Sequence, residues 1–429
     1  MLKYFLVACF AIYSFLNFTN AQGFGEDVSS DQLQLNTLTT ALPFMSITPD
    51  SRSGGMGDVG TALSASSSSI FWNTAMLNFA EKKSEVSISY TPWLRQLTND
   101  IHLSYVSGYT KIGSRHAVTG ALRYFSLGEI TFTDQVGQVI RNDKPSEFEI
   151  TGGYAFKLSP KLSIGLNGKF AYSNLTGGLP VAGASTKAGV AGASDLSFIY
   201  VNDKFKLGKT HGIFSLGATI NNIGNKVSYS GDFERDFIPM NLKIGTAYNM
   251  EIDAYNSFTF ALDLQKLLVP TPALTSNSAG YSDLPTGVEV GRNSDIGVIS
   301  AMLQSFYDAP GRIERDASGN LVQNDNGDYQ IVKNSRLKEE LNEINIATGL
   351  EYWYNKTFAI RTGFFYESKT KGARQYFNAG VGLRYNIMQI DMSYLLSLHK
   401  GNPLANTLRF TLRFDIGSKA KEDTPTAPQ

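Results

Sequence analysis

Residues 408–416 read LRFTLRFDI. Leu408, Phe410, Leu412, Phe414 and Ile416 share one parity; Arg409, Thr411, Arg413 and Asp415 share the other. Successive side chains of a strand point to opposite faces, so this stretch has one apolar and one polar face. LSIGLNGKFAY (162–172) repeats the pattern, setting Leu162, Ile164, Leu166, Phe170 and Tyr172 against Ser163, Gly165, Asn167 and Lys169. YFNAGVGLRY (376–385) sets Phe377, Ala379, Val381, Leu383 and Tyr385 against Asn378, Gly380, Gly382 and Arg384.

Working outward from these stretches, about fourteen such segments of about 9–12 residues appear, the length of a tilted strand crossing a bilayer. They begin near Ser84, Asp100, Ala117, Glu147, Leu162, Asp195, Gly212, Asn241, Ser257, Glu343, Thr357, Tyr376, Met388 and Thr407. Short connections (Lys111 to His116, Ser159 to Lys161, Asp253 to Asn256, Asn355-Lys356, Asn386, and the slightly longer Asp203 to Thr210) alternate with long ones. The long ones are Ser126 to Ser146, Thr176 to Ser194, Gly224 to Pro239 and Leu268 to Asn342. This alternation predicts an all-β fold, a transmembrane antiparallel barrel with tight periplasmic turns, long extracellular loops and both termini in the periplasm. Tyr90, Trp93, Tyr105, Tyr109, Tyr154, Tyr200, Tyr248, Tyr352, Trp353, Tyr354, Tyr366 and Tyr385 lie mostly near strand ends, as interfacial girdles do. The alternative is a soluble β-sandwich, which usually has fewer and shorter strands.

The chain starts with Lys3, the apolar YFLVACFAIYSFLNF and then Thr19-Asn20-Ala21, the layout of a signal peptide cut after Ala21. LVAC (6–9) offers a lipidated Cys9 instead, but the apolar run continues well past it. Cys9 is the only cysteine, so the expected mature chain has neither disulfides nor thiol chemistry. Lys+Arg and Asp+Glu are 38 each, which removes the basic excess that nucleic-acid binding needs. The expected layout is a signal peptide over 1–21, a hatch over 22–83, a barrel over 84–416 with a large extracellular loop at 268–342, and a disordered periplasmic tail over 417–429.

Ser53 to Leu63 reads SGGMGDVGTAL and contains the letters of a dinucleotide-binding turn. That turn needs a preceding buried strand and a following helix. Here Pro43 and Pro49 precede it, and no strand–helix–strand unit follows. Small residues suit a segment folded tightly inside a lumen, so 22–83 reads as a plug, with a loose periplasmic tether as the alternative. Asp58 and Arg52 would pair with lumenal charges such as Arg384, Arg409, Arg413 or Asp415.

GGMGDVGTALSASSSSIFWNTAMLNF (54–79) resembles the hatch signature of the FadL-like superfamily, and SISYTPWLRQLTNDIHLSYVSGYTKI (87–112) resembles more narrowly the PorV (LptO) family of the type IX secretion system. The resemblance spans the mature chain and implies a fourteen-stranded outer-membrane barrel in a Gram-negative, Bacteroidota-type bacterium, with an N-terminal lumenal hatch. Its hatch motif falls on Gly55, Gly57, Asp58, Gly60, Trp72 and Asn73. One departure is visible: Asn73-Thr74-Ala75 stands where the family usually has Asn-Pro-Ala. The resemblance further implies a shuttle that takes secreted cargo by its C-terminal signal domain at the type IX translocon barrel and delivers it to a surface attachment complex with a PorU-type sortase. Outer-membrane lipid would be its surroundings, without nucleic acid.

No enzyme chemistry is legible. His102, His116, His211 and His399 lack metal spacing, no G-x-S-x-G elbow occurs, and the serines at 64–69 have no histidine close in sequence, so no cofactor is expected. Asn326-Gly327 reads as a tight hairpin turn rather than a calcium loop. In the large loop, SDIGVISAMLQSFY predicts a helix capped by Ser294 or Asp295, with Ile296, Ile299, Leu303 and Phe306 on one face; SRLKEELNEI predicts another. That apolar face either packs on the loop and barrel rim or docks a partner. Two rival functions remain: a FadL-like transporter of small hydrophobic molecules, which predicts an apolar pocket between hatch and wall, and an outer-membrane enzyme acting on lipopolysaccharide, for which no rim Ser or His site is legible.

Overall fold

Period-two segments with one apolar face can hide that face against lipid only if every backbone edge is also paired, which forces closure. The computed structural model, which describes residues 35–419 apart from 96–97, 99, 134–135, 179–184, 209, 231–234 and 399–405, has this form. The expected signal peptide with its Cys9 alternative, and the end of the chain beyond 419, lie outside the described residues.

The strands are β1 (Lys82–Pro92), β2 (Ile101–Ile112), β3 (His116–Leu127), β4 (Ile130–Thr133), β5 (Val139–Asp143), β6 (Ser146–Lys157), β7 (Leu162–Asn174), β8 (Gly189–Leu207), β9 (Thr210–Gly224), β10 (Asn241–Glu251), β11 (Asn256–Leu267), β12 (Ile344–Tyr354), β13 (Phe358–Tyr366), β14 (Gln375–Tyr385), β15 (Met388–Ser397) and β16 (Leu408–Lys419). All but β4 and β5 form one closed antiparallel barrel in chain order, sealed by β1 against β16 with Ile88 opposite Leu412 and Ser87 opposite Arg413. β4 and β5 form a separate hairpin in the loop after β3.

Side-chain polarity is inverted relative to a soluble protein. Ile88, Leu122, Ile150, Leu166, Phe260, Ile360 and Leu383 face outward, whereas Arg123, Glu149, Asp195, Glu351, Arg361 and Asp391 are buried inside. Turns between strands are short on one rim; Asn355 and Lys356 both take positive φ, which matches a two-residue turn to strand twist.

Several expectations change. β8 runs for 19 residues and β9 for 15. The expected loop over Asp203 to Thr210 is mostly strand, with Leu207 opposite Thr210. Phe205 packs on Phe214 and Tyr248 (centroids 5.1 and 5.7 Å), and such cross-strand aromatic contacts extend the ladder. At its other end β8 begins at Gly189 inside the expected loop, because Gly and Ala conceal the alternation there. Strand β16 continues through Lys419, past the expected start of the tail at 417. Tyr105, Tyr109 and Trp353 are buried in the lumen, not in a girdle, because their parity matches inward neighbours such as Ser107 and Glu351.

The loop between β11 and β12 has its own small core of Leu274, Tyr281, Leu284 and Ile313. Nested bridges Ile313–Ile331 and Gln323–Tyr329 close a hairpin whose tip has Gly327 at φ 84°, the turn expected at Asn326-Gly327.

Candidate functional site

Chain preceding β1 fills the barrel. Helix α1 (Ser51–Gly55) and helix α2 (Ser69–Trp72) are followed by a 3-10 turn, Thr74–Phe79, all inside the wall. Asp50 caps α1 by accepting from Ser53 N (3.0 Å), and its other oxygen accepts from Trp72 Nε1 (2.7 Å). One carboxylate therefore staples the two helices together.

Wall side chains hold hatch backbone at several depths. Asp263 Oδ2 accepts from Gly60 N (2.8 Å), Thr61 N (3.0 Å) and Thr61 Oγ1 (2.8 Å). Glu85 accepts from Ser67 N and Oγ (2.6 and 2.7 Å). Arg123 donates to Phe44 O (2.8 Å), and Asn167 donates to Ile70 O (3.0 Å). These bonds satisfy backbone groups of short helices and turns that would otherwise be buried unpaired.

The hatch-motif residues have distinct positions. Gly57 adopts φ 76°, and a Cβ there would stand 2.4 Å from Phe364 N. A Cβ on Gly60 would overlap the Trp72 ring at 2.0 Å. Gly55 lies against Gly380 of the wall. Asp58 accepts from the Tyr376 hydroxyl (2.5 Å) and lies 3.4 Å from Arg409. Asn73 Nδ2 donates to Thr61 O (2.9 Å) and to Phe198 O of β8 (3.0 Å). Thr74, in place of proline, donates from Oγ1 to Asn167 Oδ1 (2.7 Å).

Of the expected charge partners, Arg409 does meet Asp58. Arg52 does not meet Asp415, the one acid among the expected partners: it makes a two-point pair with Glu351 of β12 (3.0 and 2.7 Å). Asp415 pairs with Lys82, and Arg384 donates to Gln389. Glu351 also accepts from Arg361 (2.6 Å), Arg361 reaches Asp391 (2.7 Å), and Arg413 lies 3.4 Å from Asp391 and 4.0 Å from Asp50. A neutral chain of three arginines and three carboxylates thus links hatch to wall. Sequence reading missed Glu351, Arg361, Asp391 and Asp263; their inward parity on β11, β12, β13 and β15 was the available signal.

A cavity of about 210 Å³ lies where the hatch meets the long-loop side of the lumen. Its lining mixes Phe71, Trp72 and Trp93 with Asn221, Lys243 and Arg409. It is therefore a polar, aromatic cavity rather than an apolar tunnel.

The large loop is clamped over this mouth. Helix α3 (Val298–Gln304) is preceded by Gly297, with no side-chain cap, so neither Ser294 nor Asp295 caps it; Asp295 pairs instead with Lys226 (3.0 Å). Ile296 precedes the helix and packs, with Val298, Ala301 and Met302, on a core of Phe44, Val227, Phe237 and Leu268. Ile299, Leu303 and Phe306 point outward at 64%, 64% and 50% exposure. The expected single face thus splits: Ile296 packs inward, and the other three residues are exposed, because Val298, Ala301 and Met302 form the packed face. Helix α4 (Ser335–Asn342) follows the expected second segment; its Glu339, with Glu343 just beyond, accepts from Lys371. Glu343 also pairs with Lys266 (2.6 Å), and these two lysines hold its carboxyl below the usual range. Asp308 accepts from Thr271 N, and burial pushes its carboxyl up to about 6.

A family profile described as type IX secretion system protein PorV matches residues 29–274, more than half of the chain. The chain belongs to the PorV family. It is an outer-membrane β-barrel of the type IX secretion class. No curated protein matches the sequence. Among solved structures, this PorV-family chain is similar to the Pseudomonas putida toluene transporter TodX (TM-score 0.47, 9% identity, 87% of this chain and 99% of that one). It is also similar to the Ralstonia pickettii toluene transporter TbuX (0.43, 11%, 86% and 96%) and to a Pseudomonas aeruginosa FadL homologue (0.40, 10%, 89% and 99%). Likeness at this level says nothing of what the PorV-family chain binds.

Proposed function

We propose that this barrel is a non-enzymatic cargo shuttle. It binds the C-terminal signal domains of secreted proteins at the translocon and passes them to a surface attachment complex containing a PorU-type sortase. The observation that carries this reading is the unpaired apolar face of Ile299, Leu303 and Phe306, held on a loop braced by buried ion pairs and joined to a family of secretion proteins. Exposed clustered apolar side chains on a rigid support are what a docking surface requires. In this reading the hatch, bound to the wall throughout the lumen, keeps the barrel closed. The long-loop rim faces the outside, and both termini lie in the periplasm of a Bacteroidota-type cell. The rival reading, a transporter of small hydrophobic molecules, fits the polar lining of the cavity poorly.

The test is purification from the native outer membrane in mild detergent. Wild type should carry cargo with uncleaved C-terminal domains, and the triple variant I299D/L303D/F306D should lose it while remaining a folded barrel. A lone barrel holding a small hydrophobe, together with normal surface display in a deletion strain, would overturn the shuttle in favour of the transporter.

A further inference from the structure

The lumenal cavity contains an ammonium group that forms no ion pair among the described residues. Five cationic side chains line it: Lys169, Lys243, Lys266, Arg374 and Arg409. Four have a carboxylate. Lys169 pairs with Asp195 (3.0 Å), Lys266 with Glu343 (2.6 Å), Arg374 with Glu367 (2.8 Å) and Arg409 with Asp58 (3.4 Å).

Lys243 is the exception. It is 6% exposed and has neither an ion pair nor a hydrogen bond among the described residues. Its ammonium lies over the rings of Trp72 (4.5 Å) and Phe71 (4.9 Å). Asp263 on the adjacent strand commits Oδ2 to Gly60 and Thr61, while its buried Oδ1 has no partner; it stands outside ion-pair distance of Lys243 and offsets the ammonium only from that distance. Cation–π contact recovers only part of the hydration a buried ammonium loses.

We propose that this cavity is a binding site for a compact carboxylate on an apolar or aromatic body. The carboxylate accepts from Lys243, and the body lies among Trp72, Phe71 and Trp93. Charge selects the group: each of the other four lining cations has a carboxylate within 3.4 Å, and Lys243 has none. Size suits the body: a dry cavity of about 150 Å³ holds benzene, so about 210 Å³ has room for one ring with its carboxylate. Two sources share this chemistry, a free aromatic or short aliphatic acid and the carboxyl end of a polypeptide. The inference does not depend on the secretion reading.

The test uses the full-length protein in detergent and its own fluorescence. Of its three tryptophans, Trp72 and Trp93 line the cavity and Trp353 does not. Benzoate should change the emission saturably, while benzamide, the uncharged analogue, should bind about tenfold or more weaker, a difference of about 1.4 kcal/mol. Lys243→Met should abolish that preference and Lys243→Arg should keep it. The comparison of benzoate with benzamide on wild type needs no variant and holds even if Lys243→Met fails to fold. Acetyl-Gly-Phe with a free carboxyl, set against its C-terminal amide, separates the sources: acid-selective binding indicates a chain end, and binding of benzoate alone indicates a free acid. No saturable response to any of these carboxylates, equal binding of benzoate and benzamide, unchanged binding in a folded Lys243→Met protein, or preference for decanoate over benzoate would each overturn the proposal.

Discussion

Glu351→Gln should unseat the hatch. Glu351 is 1% exposed and sits between two guanidinium groups, Arg52 of the hatch and Arg361 of the wall, accepting hydrogen bonds from both. Glutamine keeps the volume but removes the negative charge, leaving the six-member chain with one excess positive charge in a lumen that excludes most water. Removing one partner of a buried pair costs about 3–5 kcal/mol. Of the two contacts of Glu351, only that with Arg52 crosses from hatch to wall, so this cost falls largely on the seated state. At about 1.4 kcal/mol per factor of ten, the unseated population rises by roughly two to three and a half powers of ten. The assay is maleimide labelling of a cysteine placed at Ser53, which is 3% exposed, in a chain whose only native cysteine is Cys9 in the expected signal peptide. Labelling should be slow in the Ser53→Cys parent and faster by that factor after Glu351→Gln. The double change Arg52→Gln with Glu351→Gln restores neutrality and should recover much of the protection. Equal labelling in parent and single variant, or no recovery in the double variant, would refute the ion-pair reasoning.

Three further outcomes are expected. Gly363→Val should block hatch seating or barrel assembly, because a Cβ at Gly363 would fall 2.0 Å from the Met56 carbonyl carbon, whereas Gly152→Val, with nothing within 4 Å, should assemble normally; the folded fraction in membranes measures both. Asp308 and Glu343 give the rim loop a pH dependence of two signs. The raised carboxyl of Asp308 opposes folding at neutral pH, and that cost fades as pH falls through about 6, so the hydrogen-exchange protection of the loop, taken relative to the intrinsic amide rate at each pH, should rise from pH 7 to 5 and lose this trend in Asp308→Asn. The lowered carboxyl of Glu343 contributes stability that is present above its ordinary value of 4.5 and lost as pH falls through its lower folded value, so that protection should fall again in stronger acid. Lys371→Met removes a cation shared by Glu339 and Glu343 and should loosen α4, seen as faster proteolysis between residues 335 and 343, without altering the barrel.

Much of the barrel was legible in the chain because membrane strands obey a short-range rule. Each residue of LRFTLRFDI has its face set by parity alone, and connection lengths place each strand end on one rim or the other. Parity failed where side chains are small, at Gly189 to Ala193, and where aromatic contacts between strands extended a hairpin, at Phe205. Tyr105 and Trp353 show a second limit: position along a strand suggests a girdle, whereas parity places them inside.

By itself the sequence determined that the apolar residues alternate, that the chain before the barrel is rich in small residues, and that charged residues occupy inward positions. Only tertiary structure decided which charges meet: Arg52 with Glu351 across 299 residues, and Asp58 with Arg409. It also decided that Lys243 forms no ion pair among the described residues and that Ile299, Leu303 and Phe306 face outward while Ile296 packs inward. The physical reason is range. Alternation acts over two residues, whereas a buried charge finds its partner across a lumen whose shape exists only once fourteen strands have closed around the hatch.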